Sequence, residues 1–128
     1  MSAAMITRIT NTAELKPLAA TLHDARFTAD TIAYDVAART FTLTCWVFEP
    51  ASRRWQAWQL SLNNVTDCRV NLREKVCYYE LATIRFSERD CKLDLITHYG
   101  IEISLTVCKL AGALTNRGET RDNWEDPK

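Results

Sequence analysis

Three glycines, three prolines and two histidines are all that this 128-residue chain contains of those residues, and each shortage removes a class of chemistry. A G-x-G-x-x-G turn or a P-loop needs several positions where only glycine lets the backbone close on a phosphate. Neither motif is present, and G-x-S-x-G is missing as well. The His23-Asp24 pair is of the type that ligates metal in helical phosphohydrolases, but those sites draw further histidines from other helices and this chain has one left. No metal and no cofactor is therefore expected. The five cysteines, Cys45, Cys68, Cys77, Cys91 and Cys108, include no C-x-x-C and lie mostly on apolar patterns, so reduced, buried thiols are expected. No apolar run approaches the roughly 20 residues of a spanning helix, and MSAAMITRITNT lacks the apolar core of a signal peptide. The expectation is a soluble cytoplasmic protein with no membrane partner. Sixteen basic residues balance sixteen acidic ones without a block of either sign, which argues against a nucleic-acid partner, although eleven of the basic residues are arginine.

What the chain does have is two-residue alternation. At 47% hydrophobic and 25% charged it has the composition of an ordinary globular protein. From Thr31 onward seven segments read as strands: TIAYDV, TFTLTCWVFE, RWQAWQLSL, VTDCRVNL, YELATIRFS, CKLDLITH and IEISLTVC. The breaks between them are too short for parallel crossovers and carry turn residues, as in Pro50-Ala51-Ser52-Arg53 and His98-Tyr99-Gly100. Before the strands, Asn11 and Glu14 have capping-box spacing. Pro17 moves the expected helix to about Lys16 or Pro17 through Ala25, with Leu18, Ala19 and Leu22 on its apolar side. After them, Val107, Leu110, Ala111 and Leu114 fall at helical steps and predict a C-terminal helix that stops near Asn116 to Gly118.

The expected fold is thus mainly β: about seven antiparallel strands in a barrel or sandwich with a short N-terminal and a C-terminal helix. Strand count and order match a pleckstrin-homology-like barrel. Residues 1–15 read as an extension, 16–116 as the single domain and 117–128 as a mobile polar tail.

The ordered phrases LHDARF, IAYD with RTFTL, WVFE, LSLNNVTDCR, LATIRF and GIEISLTVCKLAGALTN, from about Leu22 to Asn116, resemble an uncharacterised family of small bacterial proteins classed as a domain of unknown function. That resemblance implies a compact intracellular domain and supplies no catalytic residue.

Few residues invite catalysis. Cys77, close in sequence to Arg73 and Lys75, is a candidate thiol nucleophile and His23 a candidate ligand or base. Arg69, Arg73 and Lys75 beside Tyr78 and Tyr79 make a small basic-aromatic group of the kind that stacks single strands, interrupted by Asp67, Glu74 and Glu80.

A stronger signal lies in TFTLTCWVFEP. Phe41, Leu43, Cys45 and Val47 form one side of a strand, and the other side, nominally polar, ends in Trp46 and Phe48. If EPASRR is a hairpin turn, Trp55, which shares a face with Ala57, lands near Phe48 or Trp46, and Trp58, a further candidate for the aromatic group, shares its face with Leu60 and Leu62. Trp46, Phe48 and Trp55 with Arg53 and Arg54 have the composition of a protein–protein hot spot. The function expected is a non-enzymatic interaction module, self-associating through this hairpin, unless the N-terminal helix or the C-terminal tail covers the face and makes it a second small core. A small-ligand binder using the barrel mouth or interior is the alternative, and an enzyme using Cys77 or His23 ranks behind both.

Overall fold

Alternation in the sequence becomes ten antiparallel strands hydrogen-bonded into one sheet, in a computed structural model that describes residues 6–121. The strands are β1 (Ile6–Ile9), β2 (Arg26–Phe27), β3 (Ile32–Asp35), β4 (Thr40–Glu49), β5 (Arg54–Leu62), β6 (Asp67–Leu72), β7 (Tyr79–Ser87), β8 (Lys92–Thr97), β9 (Ile101–Thr106) and β10 (Gly112–Arg121), and the helix α1 (Thr12–Leu22) follows β1. Their order is β1-β10-β5-β4-β2-β7-β8-β9-β6, with β3 paired to the first half of β4. The two ends, β1 and β6, are not joined, so the expected barrel does not close.

β4 is ten residues long and takes two neighbours on one edge. Its first half pairs with β3, and Trp46 farther along pairs with Arg26 of β2. The two-residue β2 also pairs with Glu80 and Tyr79 of β7 and so joins the two halves of the sheet. Inward-facing Phe41, Leu43, Leu60 and Leu62 from one half and Leu93, Leu95, Ile103 and Leu105 from the other belong to a single buried cluster. Both halves therefore share one core.

α1 begins earlier than Pro17 suggests. The Asn11 side chain accepts the Glu14 N–H at 3.0 Å, and the Glu14 carboxylate accepts from the Thr10 N–H at 3.0 Å and the Thr10 hydroxyl at 2.6 Å. Those caps offset the one intrahelical bond, to Ala13, that Pro17 cannot donate. Leu15, Leu18 and Leu22 are buried, which places α1 on the core side of the sheet.

The C-terminal helix is replaced by β10. Val107 and Leu110 are both buried, but a turn lies between them and the next residues alternate as a strand alongside β5. Gly112 fits this contact because a Cβ there would sit 2.1 Å from the Ser61 carbonyl oxygen. The Asn116 to Gly118 stop signal is a bulge, in which the Asn116 side chain accepts the Gly118 N–H at 2.8 Å and Gly118 takes φ +76°. β10 then runs to Arg121, into the segment expected to be mobile. The rest of that tail, with Trp124, lies outside the described residues.

Cysteine chemistry also differs from expectation. Cys91 and Cys108 form a disulfide with Cα atoms 4.2 Å apart, closing the ends of the β8–β9 hairpin. Cys91 reaches it from a turn position at φ +53°. Cys45 is a buried thiol as expected, Cys68 is partly buried and Cys77 is exposed.

Candidate functional site

Register decides what the β4–β5 hairpin presents. Cys45 opposes Trp58, Trp46 opposes Ala57, Phe48 opposes Trp55 and Glu49 opposes Arg54. Phe41, Leu43 and Cys45 are fully buried on the inner side, and Trp58 packs against the core there. The outer side carries Trp46, Phe48 and Trp55. Phe48 and Trp55 meet edge to face, with ring centroids 5.3 Å apart, and Phe48 stays 44% exposed.

Two arginines from other strands lie over these rings. Arg26 of β2 places its guanidinium 4.8 Å from the Trp55 ring centroid and 4.5 Å from that of Tyr78, and its Nε is 3.4 Å from Glu80. Arg121 of β10, opposite Trp55 in register, lies 5.4 Å from the Trp46 ring. Such contacts hold flat, delocalised cations on aromatic faces and are worth about 0.5–1 kcal/mol each where exposed. The result is an aromatic floor, Trp46, Phe48, Trp55 and Tyr78, with guanidinium groups laid across part of it. Because α1 packs on the core side, it does not cover this face.

The structure brings Trp46, Phe48 and Trp55 together as the alternation requires. Arg53 sits in the adjoining turn at φ +57°, its N–H donating to the Glu49 carbonyl at 2.8 Å. Arg54 does not join the ring pair, because strand alternation puts it with Glu49 on the opposite side of the hairpin from Trp55. Arg26, Tyr78 and Arg121 are the members that sequence reasoning missed. β2 is too short to show a period, and Arg121 falls in the segment read as a tail.

The chain's two histidines converge on Asp24. Nε2 of His98 donates to Asp24 Oδ1 at 2.7 Å, and His23 Nδ1 lies 2.9 Å from the Ala82 carbonyl, which can only accept, so that nitrogen carries the proton. His23 Nε2 is 3.7 Å from the same Asp24 oxygen. The His98 hydrogen bond, assisted by the charges of both imidazoles, holds the Asp24 carboxyl below the usual aspartate range against an opposing desolvation. This cluster ties the end of α1 to the β8–β9 turn. Among the described residues, no group of three or more His, Cys, Asp or Glu is arranged to hold a metal ion.

Cys77 is exposed and makes no hydrogen bond among the described residues, while burial pushes the Cys45 thiol up to about 12 and removes it as a nucleophile at neutral pH. The basic-aromatic group disperses. Tyr79 is buried, Tyr78 lies under Arg26, Arg69 pairs with Asp67 at 3.0 Å and Arg73 with Glu102 at 3.1 Å. A hollow of about 370 Å³ on the outer side of β6, β8 and β9 is lined by residues of both charges, including Asp67, Arg69, Lys92 and Glu102. No family model, curated protein or solved structure matches the chain.

Proposed function

We propose that this chain is a non-enzymatic interaction module that holds a protein partner on the outer face of β4 and β5, using Trp46, Phe48 and Trp55 as anchors with Arg26, Arg53 and Arg121 around them. The observation that carries this reading is the aromatic floor itself: Phe48 is 44% exposed over an edge-to-face contact with Trp55, on a face that α1 leaves uncovered. Aromatic rings supply large contact area at little entropic cost and arginine supplies directional, charge-assisted bonds, and both are enriched in binding hot spots. The partner that suits this face carries carboxylates beside apolar side chains, to meet the guanidinium groups and the rings together. Peptides selected on the protein from a displayed random library are expected to combine these features and to bind at least about tenfold more weakly to Trp46→Ala and Arg53→Glu. Equal binding by both variants would end the proposal.

Self-association through this hairpin, expected from the sequence, is the competing reading, and a dimer that Trp46→Arg dissolves would favour it over a separate protein partner. A ligand site in the interior gains no support, since the core side chains of both halves occupy that space and the 370 Å³ hollow lies outside it. The resemblance to small bacterial proteins of unassigned activity adds no residue to this reading. No helix among the described residues is long and apolar enough to cross a membrane. A cytoplasmic location, expected from the sequence, requires the Cys91–Cys108 bond to be reduced or turned over there, because cytosolic thiols are held reduced. Alkylating the thiols at the moment of lysis and mapping them by mass tests it.

A further inference from the structure

β6 ends the sheet, and among the described residues β9 is its one neighbour. Its pairing sets Cys68 against Leu105, Val70 against Ile103 and Leu72 against Ile101. Those three β9 residues are buried, yet Val70 is 45% and Leu72 52% exposed. The apolar side of β6 thus runs from Cys68, packed against the core, to Val70 and Leu72, which stand about half exposed at its edge.

The backbone of the same strand is also unfinished. Arg73 and Glu74 both donate to the Gly100 carbonyl, at 2.7 and 3.0 Å, and Thr66, next to Asp67, donates to Thr106 at 2.9 Å. Two residues face one at each end, the geometry of a bulge, so β6 is a short straight segment between two kinks. Antiparallel ladders alternate between bonded and non-bonded pairs. Counting back in twos from Arg73, the N–H and C=O groups of Asn71, Arg69 and Asp67 point to β9, and those of Cys68, Val70 and Leu72 point to the free edge.

We propose that this edge pairs with the β6 edge of a second copy, antiparallel about a two-fold axis through Val70. Symmetry restricts the choices, because in an isologous pairing each residue must meet its mirror in register. An axis at Arg69 would oppose two guanidinium groups, and one at Asn71 would set Arg69 against Arg73. An axis at Cys68 would leave Leu72 outside the pairing. The Val70 axis puts Val70 against Val70 and Cys68 against Leu72 on the apolar side. On the other side it puts Asp67 against Arg73, twice by symmetry. Asp67 and Arg73 side chains are half or more exposed, and the cross-pairing would compete with their present surface pairs to Arg69 and Glu102. The outward-pointing residues then form three bonded pairs, roughly six backbone hydrogen bonds in all. This interface is separate from the aromatic face, and it commits the chain to a dimer that leaves that face open.

Native mass by light scattering over a range of protein concentrations tests the pairing. The wild type is expected to dimerise, and Asp67→Arg, which sets arginine against Arg73, to weaken dimerisation by about tenfold or more. The double variant Asp67→Arg/Arg73→Asp restores it. Val70→Lys, which places two ammonium groups at the axis from an exposed position, breaks the dimer independently if Asp67→Arg fails to fold. A wild-type monomer throughout the range, a dimer indifferent to these changes, or a swap that does not restore it overturns the proposal.

Discussion

Among the described residues, large apolar side chains are exposed on strands in two places, Phe48 on β4 and Val70 with Leu72 on β6, and the two are finished differently. On the outer face of β4 and β5 the rings pack on one another, guanidinium groups lie over them, and each β4 residue from Phe41 to Glu49 has a paired β5 neighbour. At β6 the exposed Val70 and Leu72 stand on a strand with one free edge. A surface whose polar and apolar groups are already engaged can gain and lose a partner without disturbing the monomer. A strand with outward N–H and C=O groups beside exposed apolar side chains gains from permanent company. That difference is the ground for proposing exchangeable recognition at the first place and self-pairing at the second.

The comparison can be broken from the core outward. Leu43→Ala, at the fully buried inner side of β4, is expected to cost ~3–5 kcal/mol in urea unfolding. Trp46→Ala, on the other side of the same strand, is expected to cost no more than about 1–2 kcal/mol because its ring is only partly buried. Equal losses would make the aromatic face a second core and remove it as a docking surface. Next in size is the disulfide. Cys91 and Cys108 are 17 residues apart, and reducing them is expected to lower stability by about 3 kcal/mol, on the β8–β9 side alone. Hydrogen exchange localised to β6, β8 and β9 checks this, and loosening spread evenly over both halves would contradict it.

Arg53→Gly should act in the opposite direction. Arg53 holds a left-handed conformation that favours glycine, so the variant is expected to gain about 0.5–1 kcal/mol while losing peptide binding. Stability and binding falling together would mean that the guanidinium holds the hairpin rather than a partner. The smallest effect concerns Asp24. Its carboxyl, held low by His98, should titrate by NMR below an ordinary aspartate and return toward the usual range in His98→Ala. Because the folded-state pKa is depressed, the stabilisation is full above the ordinary aspartate pKa, about 3.9, and is lost as pH falls through the lower folded value.

The alternation made the long elements legible. Two strands and a turn that are all local in sequence bring Trp55 near Phe48 or Trp46, and the register then sets it opposite Phe48. Each strand expected from Thr31 onward is present, with bounds within a few residues. What was not legible depends on distant parts of the chain. β1 and β2 are too short to show a period, and β2 alone delivers Arg26 to the rings. Val107, Leu110 and Leu114 have helical spacing because a turn separates them, and only pairing with β5 reveals the strand. Cys91 and Cys108, and likewise Asp24 and His98, meet through hairpin and sheet geometry that no local motif announces.

The most direct measurement is native mass by light scattering for wild type, Trp46→Arg and Asp67→Arg side by side. The account predicts a concentration-dependent dimer for wild type and Trp46→Arg, and a monomer for Asp67→Arg at the same concentrations. A dimer dissolved by Trp46→Arg and untouched by Asp67→Arg would contradict it, moving self-association to the aromatic hairpin and leaving β6 a bare edge.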